Sequence, residues 1–108
     1  MLPVASEELL ETVRAMLSPV SRERSRGADE IADLACALTP SQVVLVTRLL
    51  VALRLGEDDV VCQEAQLNAL CELKEWWELD GETLRRLCRL PVQSLVGSQQ
   101  EHYLALFA

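Results

Sequence analysis

Lysine is nearly missing from this chain. There are ten basic residues, and Lys74 is the single lysine among arginines. Seventeen acidic residues outnumber them, for a formal net charge of −7. A protein that holds nucleic acid through its phosphates needs a basic face, and so does one that settles on anionic lipid. Both partner classes are therefore excluded, and a charged partner, if there is one, is expected to be a basic protein. The arginine bias fits a GC-rich bacterial genome. Aromatics are equally scarce: Trp76, Trp77, Tyr103 and Phe107 are all there are, so the core must be aliphatic. Four glycines and four prolines are too few for a low-complexity or disordered chain.

Several kinds of chemistry lack their residues. His102 is the only histidine, and a hydrolytic triad or a histidine metal site needs partners for it. The one residue beside it that could matter is Glu101, which reads as an ordinary exposed helix neighbour. Cys36, Cys62, Cys71 and Cys88 show neither a Cys-x-x-Cys pair nor metal-ligand spacing, and read as reduced structural thiols. No phosphate-binding glycine loop and no His-Glu-x-x-His helix occurs. No cofactor, no metal and no enzymatic activity are expected. The longest apolar segment, residues 43–55, is broken by Thr47, Arg48 and Arg54. It is too short and too charged to span a bilayer. Met1-Leu2-Pro3-Val4 lacks the basic start and apolar stretch of a secretory leader, so a cytoplasmic location is expected.

What is present is aliphatic and helical. The chain has 108 residues, half of them hydrophobic, which suits one domain over residues 1–108. Ser6 before Glu7 and Glu8 predicts a helix start, and Ser18-Pro19 its end. A second helix carries Ala28, Ile31, Ala32, Ala35 and Leu38 at 3-4 spacing. Thr39-Pro40-Ser41-Gln42 has the form of a capping box with proline at the first helical position. The third helix that it opens is apolar almost all round, which predicts a central place in the domain. Gly56 reads as its terminator. Glu57, Asp58 and Asp59 then crowd the start of a fourth helix that runs to about Trp76. Asp80-Gly81 marks a turn, residues 82–90 a short fifth helix closed by Pro91, and Ser98 with Glu101 a last capped helix. The expected fold is all-α: five or six short antiparallel helices arranged as αα-hairpins. It would be either a short stack of such pairs or an irregular bundle.

Two segments echo each other. SRERSRGADEIADLACAL and EDDVVCQEAQLNALCEL both open with charges and pass through an alanine into a small-aliphatic 3-4 pattern. Ala28 and Ala65 hold matching places, at a separation close to the period of two-helix solenoid repeats. The second segment resembles the first helix of a HEAT repeat, in Val61, Glu64-Ala65, Ala69-Leu70 and Leu73. The resemblance covers about a third of the chain. It implies a stack of helical pairs that serves as a binding surface without catalysis.

The candidate surface lies in and after the fourth helix. Projection at 100° per residue puts Val61, Cys62, Ala65, Ala69, Leu73 and Trp76 on one apolar face. Glu64, Asn68, Glu72 and Glu75 form an acidic exposed strip. Trp76 is thus read as core, and Trp77, at the edge of the face, as a partly exposed anchor of the kind that interfaces use. Trp77 with Glu75, Glu78 and Asp80, extended by Glu72 and Glu64, is the expected partner-binding site. Acids around an aromatic anchor suit a basic partner. In size and charge the chain resembles bacterial immunity proteins, which implies a non-catalytic protein that covers and neutralises a cationic one. The alternative is a self-associating structural or adaptor subunit, a homodimer for instance, because the third helix is very apolar for a monomer.

Overall fold

A computed structural model describes residues 3–108; Met1 and Leu2, read above as part of a start without a leader, lie outside the described residues. Six α-helices carry the fold: α1 (Ser6–Met16), α2 (Ser21–Leu34), α3 (Pro40–Gly56), α4 (Val60–Trp76), α5 (Gly81–Arg85) and α6 (Gln99–Leu106). Three 3-10 turns join them, Ala35–Ala37, Arg86–Arg89 and Val92–Ser94. The described residues contain no strand, and no helix among them is long and apolar enough to cross a membrane.

Local chemistry explains most boundaries. At α3, Thr39 accepts from the Gln42 amide while the Gln42 side chain accepts from the Thr39 amide, with Pro40 at the first position. This satisfies two otherwise orphan donors. Asp59 caps α4 through Cys62, and Asp80 caps α5 through the amide and hydroxyl of Thr83. Those hydrogen bonds hold the Asp80 carboxyl below the usual carboxylate range. Two expected caps are not made. Ala5, not Ser6, is the N-cap of α1, and Ser98 precedes α6 without a side-chain capping bond. Gly56 is also helical, so α3 ends one residue later than expected, at a Glu57 with extended backbone. The fifth helix lasts one turn before it tightens into the 3-10 turn Arg86–Arg89.

Hydrogen bonds fix the directions of the helices. Cys62 Sγ donates to Ser21 O at 3.0 Å, and the Trp77 indole donates to Ala35 O at 2.8 Å. The start of α4 thus meets the start of α2, and the ends meet too, so the two run parallel. Gln99 Nε2 donates to Gln63 Oε1 and Lys74 Nζ to Ala105 O, which makes α6 parallel to α4 as well. Against α2, α1 is antiparallel: Val4 N donates to Ala37 O and Thr12 Oγ1 to Glu30 Oε2. The consecutive pair α3 and α4, which are in contact, turns back in three residues. The arrangement is a row of hairpins two layers thick. One layer holds α2, α4 and α6, and the other holds α1, α3 and α5 with its 3-10 turn. The overall extents, 40 × 31 × 19 Å, are those of a slab.

The centre is α4, not α3. α4 touches α2, α3, α6 and the turn after α2. Cys62, Ala65, Gln66, Leu67, Ala69, Leu70 and Leu73 are all buried. Small residues at Cys62, Ala65 and Ala69 let α2 approach, while Leu67 and Leu70 fill the other sides; each fully buried leucine contributes about 2 kcal/mol of apolar transfer. α3 instead lies in the second layer and leaves Val44 and Leu45 open to solvent. Its apolar circumference reflects a buried side plus an uncovered one.

Two polar contacts stitch the layers. Arg24 of α2 meets Glu57, between α3 and α4, in a bidentate pair at 2.9 and 2.8 Å. Its Nη1 also donates to Ser18 O and Pro19 O. Glu57 accepts further from Gln66 Nε2 and the Asp59 amide. The Arg24 hydrogen bond is the main reason the Glu57 carboxyl is held down at about 2. Arg54, only 3% exposed, reaches from α3 to Gln99 Oε1 at 3.0 Å, and its burial lowers its pKa. α1 and α2 meet at Gly27, where an added Cβ would stand 2.6 Å from Met16 N.

Candidate functional site

The free side of the α2–α4–α6 layer collects acids. On α4, Glu64, Asn68, Glu72 and Glu75 follow helical spacing along one line, all at least partly exposed. This is the acidic strip that the periodicity predicts. Parallel packing adds the α2 residues Asp29 and Asp33, exposed on the flank away from the buried line Gly27, Ala28 and Ile31. Desolvation, then the charges of Asp33 and Glu64, raises the Asp29 pKa above the ordinary aspartate value. The three carboxylates therefore share one field. Across the strip, α6 brings His102, whose Nε2 lies 4.0 Å from Glu64 Oε1. Among the described residues, no cation stands within 4 Å of Asp29, Asp33, Glu72 or Glu75.

Apolar side chains bracket the strip. At its start Val60 and Val61 are exposed, Val61 at 66%. With Asp29, Glu64, Asn68 and His102 they line an open groove of about 520 Å³. At its end stands Trp76, 62% exposed.

Trp76, expected in the core, is exposed, while Trp77 is partly exposed as its place at the edge of the face predicts, but packs on the core. Trp76 is exposed because α2 has already ended at Leu34, so none of the described residues covers that side of the last turn of α4. Trp77 follows the helix with extended backbone, φ −136° and ψ 151°, so helical projection no longer gives its direction. Its ring packs on the core and its indole N–H satisfies Ala35 O, at the end of α2. Trp77 is thus a packing residue and a C-terminal cap for its neighbour.

The expected partner-binding set divides in the same way. Glu64, Glu72 and Glu75 share the strip beside Trp76. Glu78 and Asp80 lie elsewhere, in a small groove with Val44, Thr47 and Arg48 of α3. Asp80 is also engaged as a helix cap. Sequence reading missed Asp29, Asp33, Val60 and His102 as members of this face. The i, i+4 pair Asp29 and Asp33 was a visible signal, but only the parallel pairing of α2 with α4 brings it beside Glu64.

His102 is the only ring base of the face. Burial pushes the Cys62 and Cys71 thiols up to about 11, which keeps them protonated and inert. Among the described residues no three His, Cys, Asp or Glu side chains are grouped to hold a metal ion. No protein-family model, curated protein or solved structure matches the chain.

Proposed function

We propose that this chain is a non-catalytic protein-binding module whose α2–α4–α6 face receives a basic protein. One observation carries the reading: five carboxylates, of Asp29, Asp33, Glu64, Glu72 and Glu75, share a surface with exposed apolar groups at both ends. Unpaired surface acids attract a cationic partner over several ångströms and speed its approach. Trp76 and the Val60–Val61 pair then supply apolar area that a partner can bury, the usual source of holding energy in an interface. The parallel run of α2, α4 and α6 supports a short stack of the HEAT type, in which a layer of equivalent helices is the binding surface. An immunity-type role, covering the working surface of a cationic protein, is the form of binding that size and charge favour.

The test is capture from a bacterial lysate by tagged protein, beside a variant with Glu64→Lys, Glu72→Lys and Glu75→Lys. The expected result is a basic protein held by the wild type, released by salt, and weakened at least tenfold by the variant, on the order of 1.4 kcal/mol or more. Partner binding that is unchanged in the variant at low salt removes this face as the site.

A further inference from the structure

The chain's single histidine stands inside the acidic groove. Three helices line that space: α2 supplies Asp29, α4 supplies Glu64 and Asn68, and α6 supplies His102. His102 Nε2 lies 4.0 Å from Glu64 Oε1, with the imidazole 23% exposed and the carboxylate 49%. A second proton on the ring therefore puts a positive charge within the groove, beside a carboxylate. Among the described residues, Asp29 and Glu64 are the two carboxylates that line the groove, so the added proton cancels half of their combined charge. The other ionisable neighbours are placed or engaged elsewhere. Cys71 of α4 donates to His102 O, and burial keeps its thiol protonated. Lys74 Nζ donates to the carbonyls of Ala105, Leu106 and Ala108, at the far end of α6. On α6 itself, Glu101 is exposed and Tyr103 packs on Phe107. Glu72 and Glu75 stand further along α4, about 12 and 16 Å beyond Glu64 at the helical rise, and Asp33 one turn beyond Asp29 on α2.

We propose that His102 is a pH-sensitive switch on the acidic face: its protonated ring pairs with Glu64, fills the groove with a positive charge and lowers the affinity of the face for a basic protein. The switch rests on the reading above, that a basic protein binds here, and adds its regulation. Histidine is the side chain that ordinarily gains its charge between pH 8 and pH 5. A partner's cation and the ring proton compete for the same two carboxylates. By linkage, each weakens the other by the same factor. Affinity is therefore full where the ring is neutral, and it falls as pH drops through the histidine range. Asp29 acts in the same sense. Desolvation, then the charges of Asp33 and Glu64, raises its pKa, so it gives up its charge earlier on acidification than an ordinary aspartate.

An octa-arginine peptide with a rhodamine label tests this, because the charge of arginine does not change between about pH 7.5 and about pH 5.5. Fluorescence anisotropy with the full chain, at constant low ionic strength, gives the affinity at each pH. The wild type is expected to bind about fivefold or more weakly at the lower pH. His102→Gln is expected to lose most of that fall, and the part that remains belongs to Asp29. His102→Lys, a permanent positive charge at the same place, is expected to bind weakly at both. Circular dichroism checks that each variant is folded at each pH. A wild-type affinity indifferent to pH overturns the switch and leaves the acidic-face reading standing, and so does a fall that His102→Gln keeps in full. No binding of the peptide by the wild type at the higher pH removes the acidic-face reading, and the switch with it.

Discussion

The two faces of the slab are built from the same kind of helix and differ in nearly everything else. The α2–α4–α6 face has clustered carboxylates with apolar ends, whereas the α1–α3 face has leucine with the Glu11–Arg14 pair at its margin. Both faces belong to helices whose other sides share one core. The difference teaches that a helical row separates its tasks by layer: residues between the layers hold the fold, and each outer stripe is free to serve a contact. It also shows why the composition is apolar and acidic together, since neither property is spread evenly over the surface.

The sharpest way to break the comparison is to cut the stitch that holds the layers together. Glu57 and Asp29 are both carboxylates near α2, and their environments move them in opposite directions. Arg24 holds Glu57 down at about 2, against an ordinary value of 4.5, whereas desolvation and neighbouring acids raise Asp29. For Glu57 the folded value lies below the unfolded one, so its contribution is complete above pH 4.5 and is lost as pH falls toward 2. For Asp29 the sign reverses, and protonation on acidification relieves repulsion in the folded state. Urea unfolding between pH 7 and pH 2 is expected to show a net fall in stability governed by Glu57. Glu57→Ala at pH 7 should cost about 2–3 kcal/mol, because it leaves Arg24 and Gln66 without their acceptor, and should flatten the acid limb. Asp29→Asn should leave the Glu57 limb in place. An acid limb that survives Glu57→Ala would assign it to other carboxylates.

Gly27 tests the seam between the faces more gently. Its Cα packs on α1 at the turn where the Met16 backbone comes closest, so Gly27→Ala must push backbone rather than a side-chain tip. Alanine gains about 1 kcal/mol of helix propensity, but overpacking against rigid neighbours costs about 1–3 kcal/mol. The expected outcome is a net loss of about 1 kcal/mol in urea unfolding. A stabilised variant would mean that α1 can shift on α2, and that the apolar face is not rigidly tied to the acidic one.

Much of this organisation is legible in the residues. The capping box at Thr39 and Gln42, the acidic start of α4, the turn at Asp80-Gly81, the all-helical class and the Glu64–Asn68–Glu72–Glu75 strip all follow from local spacing. Local rules suffice there because each feature is settled within two turns of chain. What depends on neighbouring elements was not legible. An apolar circumference on α3 looks like centrality, yet Val44 and Leu45 face outward because no helix lies over that side. α4 shows a polar strip and looks peripheral, yet its three remaining sides are covered by α2, α3 and α6. Helical projection also assumes that the helix continues and that a neighbour extends alongside. Both assumptions fail at the adjacent tryptophans.

That failure gives the finest test of the comparison, one residue apart on the same chain. Trp77→Phe keeps a ring against the core but removes the indole donor, leaving Ala35 O without its 2.8 Å partner. The loss should be about 1 kcal/mol in urea unfolding, with the end of α2 exchanging its amides faster. Trp76→Phe changes a ring that is mostly in solvent and should stay within about 0.5 kcal/mol of the wild type. Fluorescence separates the two without a partner. In the Trp77→Phe variant the remaining indole should emit at the longer wavelength of an aqueous ring and be readily quenched by iodide or acrylamide. In the Trp76→Phe variant emission should be shifted to the blue and shielded. Basic partners should then quench or shift only the Trp76 signal. Equal quenching of both rings in the free protein would mean that Trp77 leaves Ala35 often enough to count as surface. The anchor would then be a property of the whole Trp76–Trp77 turn, and the boundary between core and acidic face would fall one turn earlier, at Leu73.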